Sequence, residues 1–424
     1  MSLPCSVRRL GGPFLLLLAC LLWTGCEDGT LNAPDIQGRA EGDSTLFESY
    51  VALGNSITAG FQSGGIDSTT QAQSYAAILA DSMNTPFGIP ALRAPGCPPP
   101  LTQFFPTPQR PDNTTAATCG LREAATQRVN NVAVPGATVL DALSNTRPGS
   151  SPNALTQFIL GGRTQVEAAL DANPTFATLW IGNNDVLGPA LAGTDNATSF
   201  VSFASDYTAL LDQLTSSSSF EGGVLIGVVN VTFVPFFSPG PVYAALDQAG
   251  QFPPNFNVAS SCEVRSDAGL TPLVPLNYGL GLLAQAQQSS QTVTLDCAAS
   301  GSPVLTLSEA ETIVQRVRRY NNFLRQQAQQ RGLAFFNPNT VLGALYAADA
   351  GTPNVPIDDP IPKFPAATRD RPFGPFFSLD GVHPSALTHR VVAARLVQTI
   401  NETYGTSLSP PSNLPSLPVG GPPS

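Results

Sequence analysis

The chain has 424 residues, 42% of them apolar, enough for one large domain with a sizeable core and too long for a small disulfide-stapled fold. Charge is sparse and acidic, with 20 basic against 30 acidic residues and Lys363 as the only lysine. No basic patch or basic–aromatic interleaving is present to neutralise phosphates, which excludes nucleic acid as a partner.

At the N-terminus, Arg8 and Arg9 precede the apolar run "PFLLLLACLLW" over residues 13–23, which ends at "TGC". A charged start, a short greasy middle and a small-residue exit make a secretory signal. The run is too short for a good membrane span. Its ending resembles a bacterial lipobox, whose fixed element is a cysteine after small residues. That resemblance implies lipidation at Cys26 as the first mature residue, with Trp23 departing from the usual leucine. "LLAC" at Cys20 fits the local pattern but leaves a very short apolar region. An ordinary signal peptide cut nearby, or an uncleaved anchor, stays open as the alternative. Residues 1–25 are thus expected to be a signal peptide. The protein is expected to be exported and held by acyl chains at a membrane surface, facing the periplasm or the cell exterior. Residues 26–45 are polar and aperiodic and read as a tether. Residues 406–424 are rich in Pro, Ser and Gly and read as a disordered tail. A single domain over 46–405 lies between them.

Within that domain short apolar runs alternate with helical patterns. "YVALG" at 50–54 predicts a strand and "AQSYAAILADSM" at 72–83 a helix. "VNNVAVPG" at 129–136 predicts a second strand, "GRTQVEAALDA" at 162–172 a helix, and "FATLWIG" at 176–182 a third strand. The pattern continues with a helix at 200–214, a fourth strand at 222–231, a long helix at 309–332, a fifth strand at 333–337 and a closing helix at 385–405. Gly332 suits the C-cap of the long helix. Near-continuous apolar strands alternating with amphipathic helices predict an α/β fold with a parallel sheet covered on both faces. Three Pro- and Phe-rich stretches interrupt the alternation, at 84–128, 232–300 and 350–378. Long irregular segments of this kind form functional lids or linkers. Here they read as an apolar acyl-binding rim, with a passive crust as the alternative.

Beyond Cys26 four cysteines remain, an even count that predicts two disulfides in an exported protein. Proximity along the chain favours Cys97–Cys119 and Cys262–Cys297. No C-x-x-C occurs and the chain has two histidines, so no metal site is expected. No G-x-G-x-x-G or G-K-[ST] phosphate loop is present either.

In open parallel sheets ligands bind beyond the C-terminal ends of the strands. The residues there are Ser56 in "GNSITAG", Gly136 in "AVPGA", Asn184 and Asp185 in "IGNND", and, before the last helix, Asp380 and His383 in "SLDGVHPSA". Together they are the parts of an acyl-transfer site. A serine hydroxyl needs a base to become a nucleophile, imidazole serves at neutral pH, and a carboxylate three residues away can orient it. The backbone N–H groups of Ser56 and Gly136 and the Asn184 side-chain amide are candidate oxyanion donors. Singly, each has a bland reading: Ser56 as a helix cap, Gly136 as a turn glycine, Asp185 as a turn former. His389, in the middle of a helical pattern, reads as a surface residue with no role.

These four blocks, in this order from 54 to 384, resemble those of the SGNH, or GDSL-type, hydrolase family. The resemblance implies a flavodoxin-like three-layer α/β/α sandwich with a five-stranded parallel sheet and long loop insertions. It further implies Ser56 as nucleophile, His383 as base, Asp380 as its orienter, and Ser56, Gly136 and Asn184 as the oxyanion hole. One position departs: the usual Gly-Asp-Ser-Leu reads Gly54-Asn55-Ser56-Ile57. The usual Asp is not a triad member, so Asn55 is expected to weaken loop ordering without abolishing activity.

The expected function is an exported serine esterase or lipase acting on carboxylic esters, with lipid-like esters favoured, through a Ser56 acyl-enzyme and without a cofactor. An acyltransferase or carbohydrate O-deacetylase on the same site is the alternative within enzymes. A catalytically silent binding lipoprotein is the alternative of another class.

Overall fold

The computed structural model describes residues 44–105, 107–122, 128–349 and 372–415. The signal peptide at 1–25, Cys26, nearly all of the tether, residues 350–371 of the third Pro-rich stretch and the tail from 416 onward lie outside the described residues.

Among the described residues there are eight strands: β1 Tyr50–Gly54, β2 Phe176–Trp180, β3 Gly222–Ile226, β4 Phe237–Pro239, β5 Phe256–Val258, β6 Leu273–Pro275, β7 Val293–Leu295 and β8 Ala334–Phe336. The main sheet runs β1-β2-β3-β8, all parallel, with Gly54 opposite Trp180 at its C-terminal edge. β1, β2 and β3 are buried along their whole length, as strands covered on both faces must be. One cover holds the helices Tyr75–Met83 and Ala386–Tyr404, packed on Tyr50, Phe176, Trp180 and Val224. The opposite cover holds Gln165–Asp171, Phe200–Thr215 and Leu307–Arg331, packed on Val51, Leu53, Leu179 and Leu225. The long helix closes on Gly332 at φ 65°, as its sequence predicted, and opens on a capping box between Thr306 and Glu309 that the sequence reading did not anticipate. No described helix is long and apolar enough to cross a membrane.

The strand expected at 129–136, which would have made the sheet five-stranded, is corrected. Residues 130–134 run beside β1 with three backbone hydrogen bonds, but only Ala52 and Asn131 form a bridge pair. Pro135 removes a donor and Gly136 turns the chain at φ 84°, so the pairing stops before a strand is established. The sheet therefore has four strands among the described residues.

The Pro-rich stretches pack on one another. Strands β4 and β6 pair antiparallel, β5 and β7 pair parallel, and the Cys262–Cys297 disulfide lies in their core. Phe104 from the first stretch and Phe373 from the third join this cluster, their ring centroids 5.4 Å apart. The Cys97–Cys119 disulfide closes the first stretch, so both pairs match the expected connectivity. Residues 406–415 rest against the last helix, where Asn401 donates to Leu408 O and Arg390 to Ser412 O.

Candidate active site

Ser56 opens a four-residue helix, Ser56–Ala59, directly after β1. The turn into it is tight. A Cβ on Gly54 would lie 2.1 Å from Thr58 Oγ1 and 2.8 Å from Trp180 O, so only glycine fits there. Gly54 N donates to Gln165 Oε1 at 2.9 Å, fixing the end of the strand from the helical cover. Asn55 is the N-cap: its Oδ1 accepts from Ile57 N at 3.1 Å, while its Nδ2 is buried without a partner. The amide thus keeps the helix cap and forfeits a bond on its other side.

Asp380 and His383 lie on the turn before the last helix. Asp380 Oδ1 accepts from Val382 N at 2.9 Å and from His383 N at 2.8 Å, which leaves Oδ2 for the ring. One oxygen holds the backbone while the other, 2.9 Å from His383 Nδ1, orients the imidazole. The three-residue spacing gives this geometry. Burial raises the pKa of Asp380, but the imidazole and the backbone N–H donors outweigh it and hold the carboxyl at about 2. An ionised carboxylate only accepts, so Nδ1 carries the ring proton and Nε2 accepts from the Ser56 hydroxyl at 2.9 Å. Phe61 covers the imidazole, ring centroids 4.8 Å apart. Ser56 itself is 8% exposed.

Gly136 and Asn184 are brought to the same sheet edge. Val134 N donates to Gly54 O at 3.2 Å, setting Gly136 beside the serine turn. Asn184 begins the helix after β2, and its Nδ2 donates to Ala137 O at 2.8 Å. A carboxamide nitrogen has two N–H donors, so one remains for a ligand. The neighbouring Asp185 closes a second tie between these loops, its Oδ2 accepting from Val139 N at 3.1 Å. Burial pushes the Asp185 carboxyl up to about 7. Hydrogen bonds from Val139 N and Thr198 oppose the rise, and the charge of Asp141 adds to it.

Sequence reading missed the turn at 62–65 that grips the acid. Gly64 N donates to Asp380 Oδ2 at 2.6 Å, Ser63 N to Ser378 Oγ at 2.8 Å, and Leu379 N to Ser63 Oγ at 3.2 Å. The disulfide-closed stretch holds this turn from behind. Leu101 N donates to Ser63 O at 2.8 Å, Ile66 N to Pro98 O at 2.9 Å, and Arg110 Nη1 to Gly64 O at 3.2 Å. Neither stretch carries a catalytic residue type in a recognisable pattern, so only the pair of glycines at 64 and 65 hinted at a close approach. His389 is corrected as well. It is fully buried, stacks on Tyr75 and accepts from Tyr75 N through Nδ1 at 3.1 Å. Burial, with the nearby His383, pushes its pKa down to about 3, so it is neutral. A polar residue at a buried helical position has no signature in spacing alone.

Compared with known proteins, residues 50–396 match the family model described as GDSL-like Lipase/Acylhydrolase. No curated protein matches the chain. Similar solved structures include an acetyl-xylooligosaccharide esterase from Geobacillus, with 14% identity over 85% of this chain and 95% of that one and a TM-score of 0.35. They also include an extracellular lipase from Streptomyces rimosus, with 14% identity over 84% of this chain and 98% of that one and a TM-score of 0.34. Likeness at this level carries no argument about substrate.

Proposed function

The chain belongs to the GDSL-like lipase/acylhydrolase family, serine hydrolases of ester bonds, and from that premise we propose that it cleaves carboxylic esters through an acyl-enzyme on Ser56. His383 Nε2 takes the Ser56 proton as Oγ attacks the ester carbonyl. Ser56 N–H, Gly136 N–H and the second Asn184 N–H receive the oxyanion. Asp380 stabilises the imidazolium, which returns its proton to the departing alkoxide. Water, activated by the same imidazole, then releases the acid. The observation that carries this reading is the chain of two 2.9 Å contacts from Ser56 Oγ through His383 to Asp380.

Asn55 does not argue for a silent protein, since it caps the serine helix and stands outside the proton path. Two disulfides suggest an extracellular or periplasmic protein. With them we read residues 46–405 as the hydrolase domain of an exported protein, tethered through Cys26, acting on esters at a membrane surface. The test is turnover of p-nitrophenyl esters by the soluble domain beside Ser56→Ala. Loss of turnover in the variant is expected, and retention would remove Ser56 from the mechanism. Palmitate labelling that persists in Cys26→Ser would remove the anchor.

A further inference from the structure

The loop that carries Gly136 is a type II β-turn. Ala137 N donates to Val134 O at 3.1 Å, Pro135 holds the first central position, and Gly136 holds the second with φ 84°. Types I and II share their outer residues and differ by about a half-turn of the central peptide, here the one joining Pro135 to Gly136. That rotation reverses the Gly136 N–H. Proline sets only its own φ and suits both forms, and glycine accepts either sign of φ. The turn's own residues bias the peptide without locking it.

One side chain holds it from outside the turn. Asn153 Nδ2 donates to Pro135 O at 2.8 Å. The direction of the carboxamide is set at its other end, where Oδ1 accepts from Leu155 N at 2.9 Å as the N-cap of the helix Ala154–Leu160. Ile159 and Leu160 anchor that helix in the main core, and Asn153 N donates to Thr156 Oγ1 at 3.2 Å. In a trans peptide the carbonyl and the N–H point opposite ways. A carbonyl tied to Asn153 therefore sends the Gly136 N–H away from that helix. Among the described residues none accepts from Gly136 N. A Cβ on Gly136 would meet only Asn153 Nδ2 within 4 Å, at 3.2 Å, so the rest of its surroundings are open. An oxyanion donor needs an unclaimed N–H held in one direction beside the nucleophile.

We propose that Asn153 is a positioning residue, which latches the Pro135–Gly136 peptide in its type II orientation and so keeps the Gly136 N–H available to the oxyanion. The inference rests on the Ser56 reading and adds to it a residue outside the triad. Without the latch the peptide turns over in part of the population. The Pro135 carbonyl oxygen then takes the place of the N–H and repels the developing charge.

The test uses Asn153→Asp and Asn153→Ser. Both keep an N-cap acceptor for the helix and both lose the donor to Pro135 O. The serine variant does so without adding charge. Urea unfolding midpoints should stay close to wild type. The kcat for a p-nitrophenyl ester should fall at least about tenfold, toward the 10²–10³-fold loss of a whole oxyanion donor, with KM changing far less. A methyl trifluoromethyl ketone serves as the second readout. Ser56 Oγ bonds to its carbonyl carbon, the Ser56 proton passes to His383, and the carbonyl oxygen becomes an oxyanion in the hole. Its affinity should fall by the same factor as kcat/KM. A helix cap alone would leave both kcat and ketone affinity in place. Both variants with kcat close to wild type would overturn the proposal, as would a fall in kcat with ketone affinity unmoved. Ser56-dependent turnover by the wild type in those cases leaves the serine-esterase reading standing and removes only the latch. Wild-type turnover that survives Ser56→Ala, or no turnover at all, would overturn both.

Discussion

Replacing Asp380 by Asn keeps the shape of the side chain and changes its hydrogen-bonding capacity. The carboxylate accepts from five donors. Oδ1 takes Ser378 Oγ at 3.2 Å, Val382 N and His383 N, and Oδ2 takes Gly64 N and His383 Nδ1. The less costly orientation of an amide puts its oxygen toward the three donors and its NH2 toward the other two. Nδ1 of His383 must then accept, so the proton moves to Nε2 and points at Ser56 Oγ. The ring can no longer take the hydroxyl proton. The wrong tautomer in a serine triad costs on the order of 10⁴ in kcat, or about 5 kcal/mol in the barrier. Stability falls too. Gly64 N loses its acceptor, which costs about 1–3 kcal/mol. The depression of the carboxyl to about 2 from 3.8 is lost as well, worth roughly 2 kcal/mol at neutral pH. Because the folded-state value is lowered, that second contribution is present above pH 3.8 and disappears as pH falls through about 2. The stability gap between wild type and Asp380→Asn should therefore narrow on acidification. The assay pairs kcat for an ester with urea unfolding at pH 7 and pH 3. A folded Asp380→Asn protein within tenfold of wild-type kcat would refute the orienting role of Asp380.

Asn184→Ala removes the proposed oxyanion donor together with the tie to Ala137 O, and kcat should fall about 10²–10³-fold with KM changing far less; an effect confined to KM would speak against transition-state stabilisation. Asp185 has its folded pKa raised to about 7, so it favours the native state most at acidic pH, and its share of stability is lost as pH rises from about 4 to about 7. Asp185→Asn should flatten that slope, on the order of 4 kcal/mol in wild type, while retaining an acceptor for Val139 N; an unchanged slope in urea titrations across that range would contradict it. Opening Cys97–Cys119 by a double Ala substitution should cost roughly 3 kcal/mol in stability. Because that loop backs the turn gripping Asp380, kcat of the folded variant should also drop, whereas opening Cys262–Cys297 should cost stability alone. Equal kcat in the two double variants would detach the first loop from the acid.

The parts of this fold governed by local rules were legible in the sequence. β1 is continuous apolar chain ending at a glycine, and it lies where its pattern put it. The long helix announced its own end at Gly332, and the disulfide partners are the nearest cysteines in each stretch. The four short blocks were legible because tight turns, backbone donors and an acid–imidazole pair three residues apart demand those residue types. What failed depends on distant partners. Residues 129–136 have strand composition, but Pro135 and Gly136 end their pairing with β1 almost at once. His389 looked like a surface position because nothing near it in sequence reveals Tyr75, 314 residues away, as the group it accepts from. The grip of Gly64 on Asp380 spans 316 residues and uses a backbone N–H that any residue type carries, so no side-chain pattern betrays it.

The most direct test of Ser56 as the nucleophile is the mass of the peptide that carries a trapped acyl or phosphonyl group after brief reaction and acid quench. A single adduct on the peptide containing Ser56, formed in a burst and abolished in His383→Ala, is the expected result. An adduct on any other residue, or steady turnover with Ser56 never modified, would contradict it.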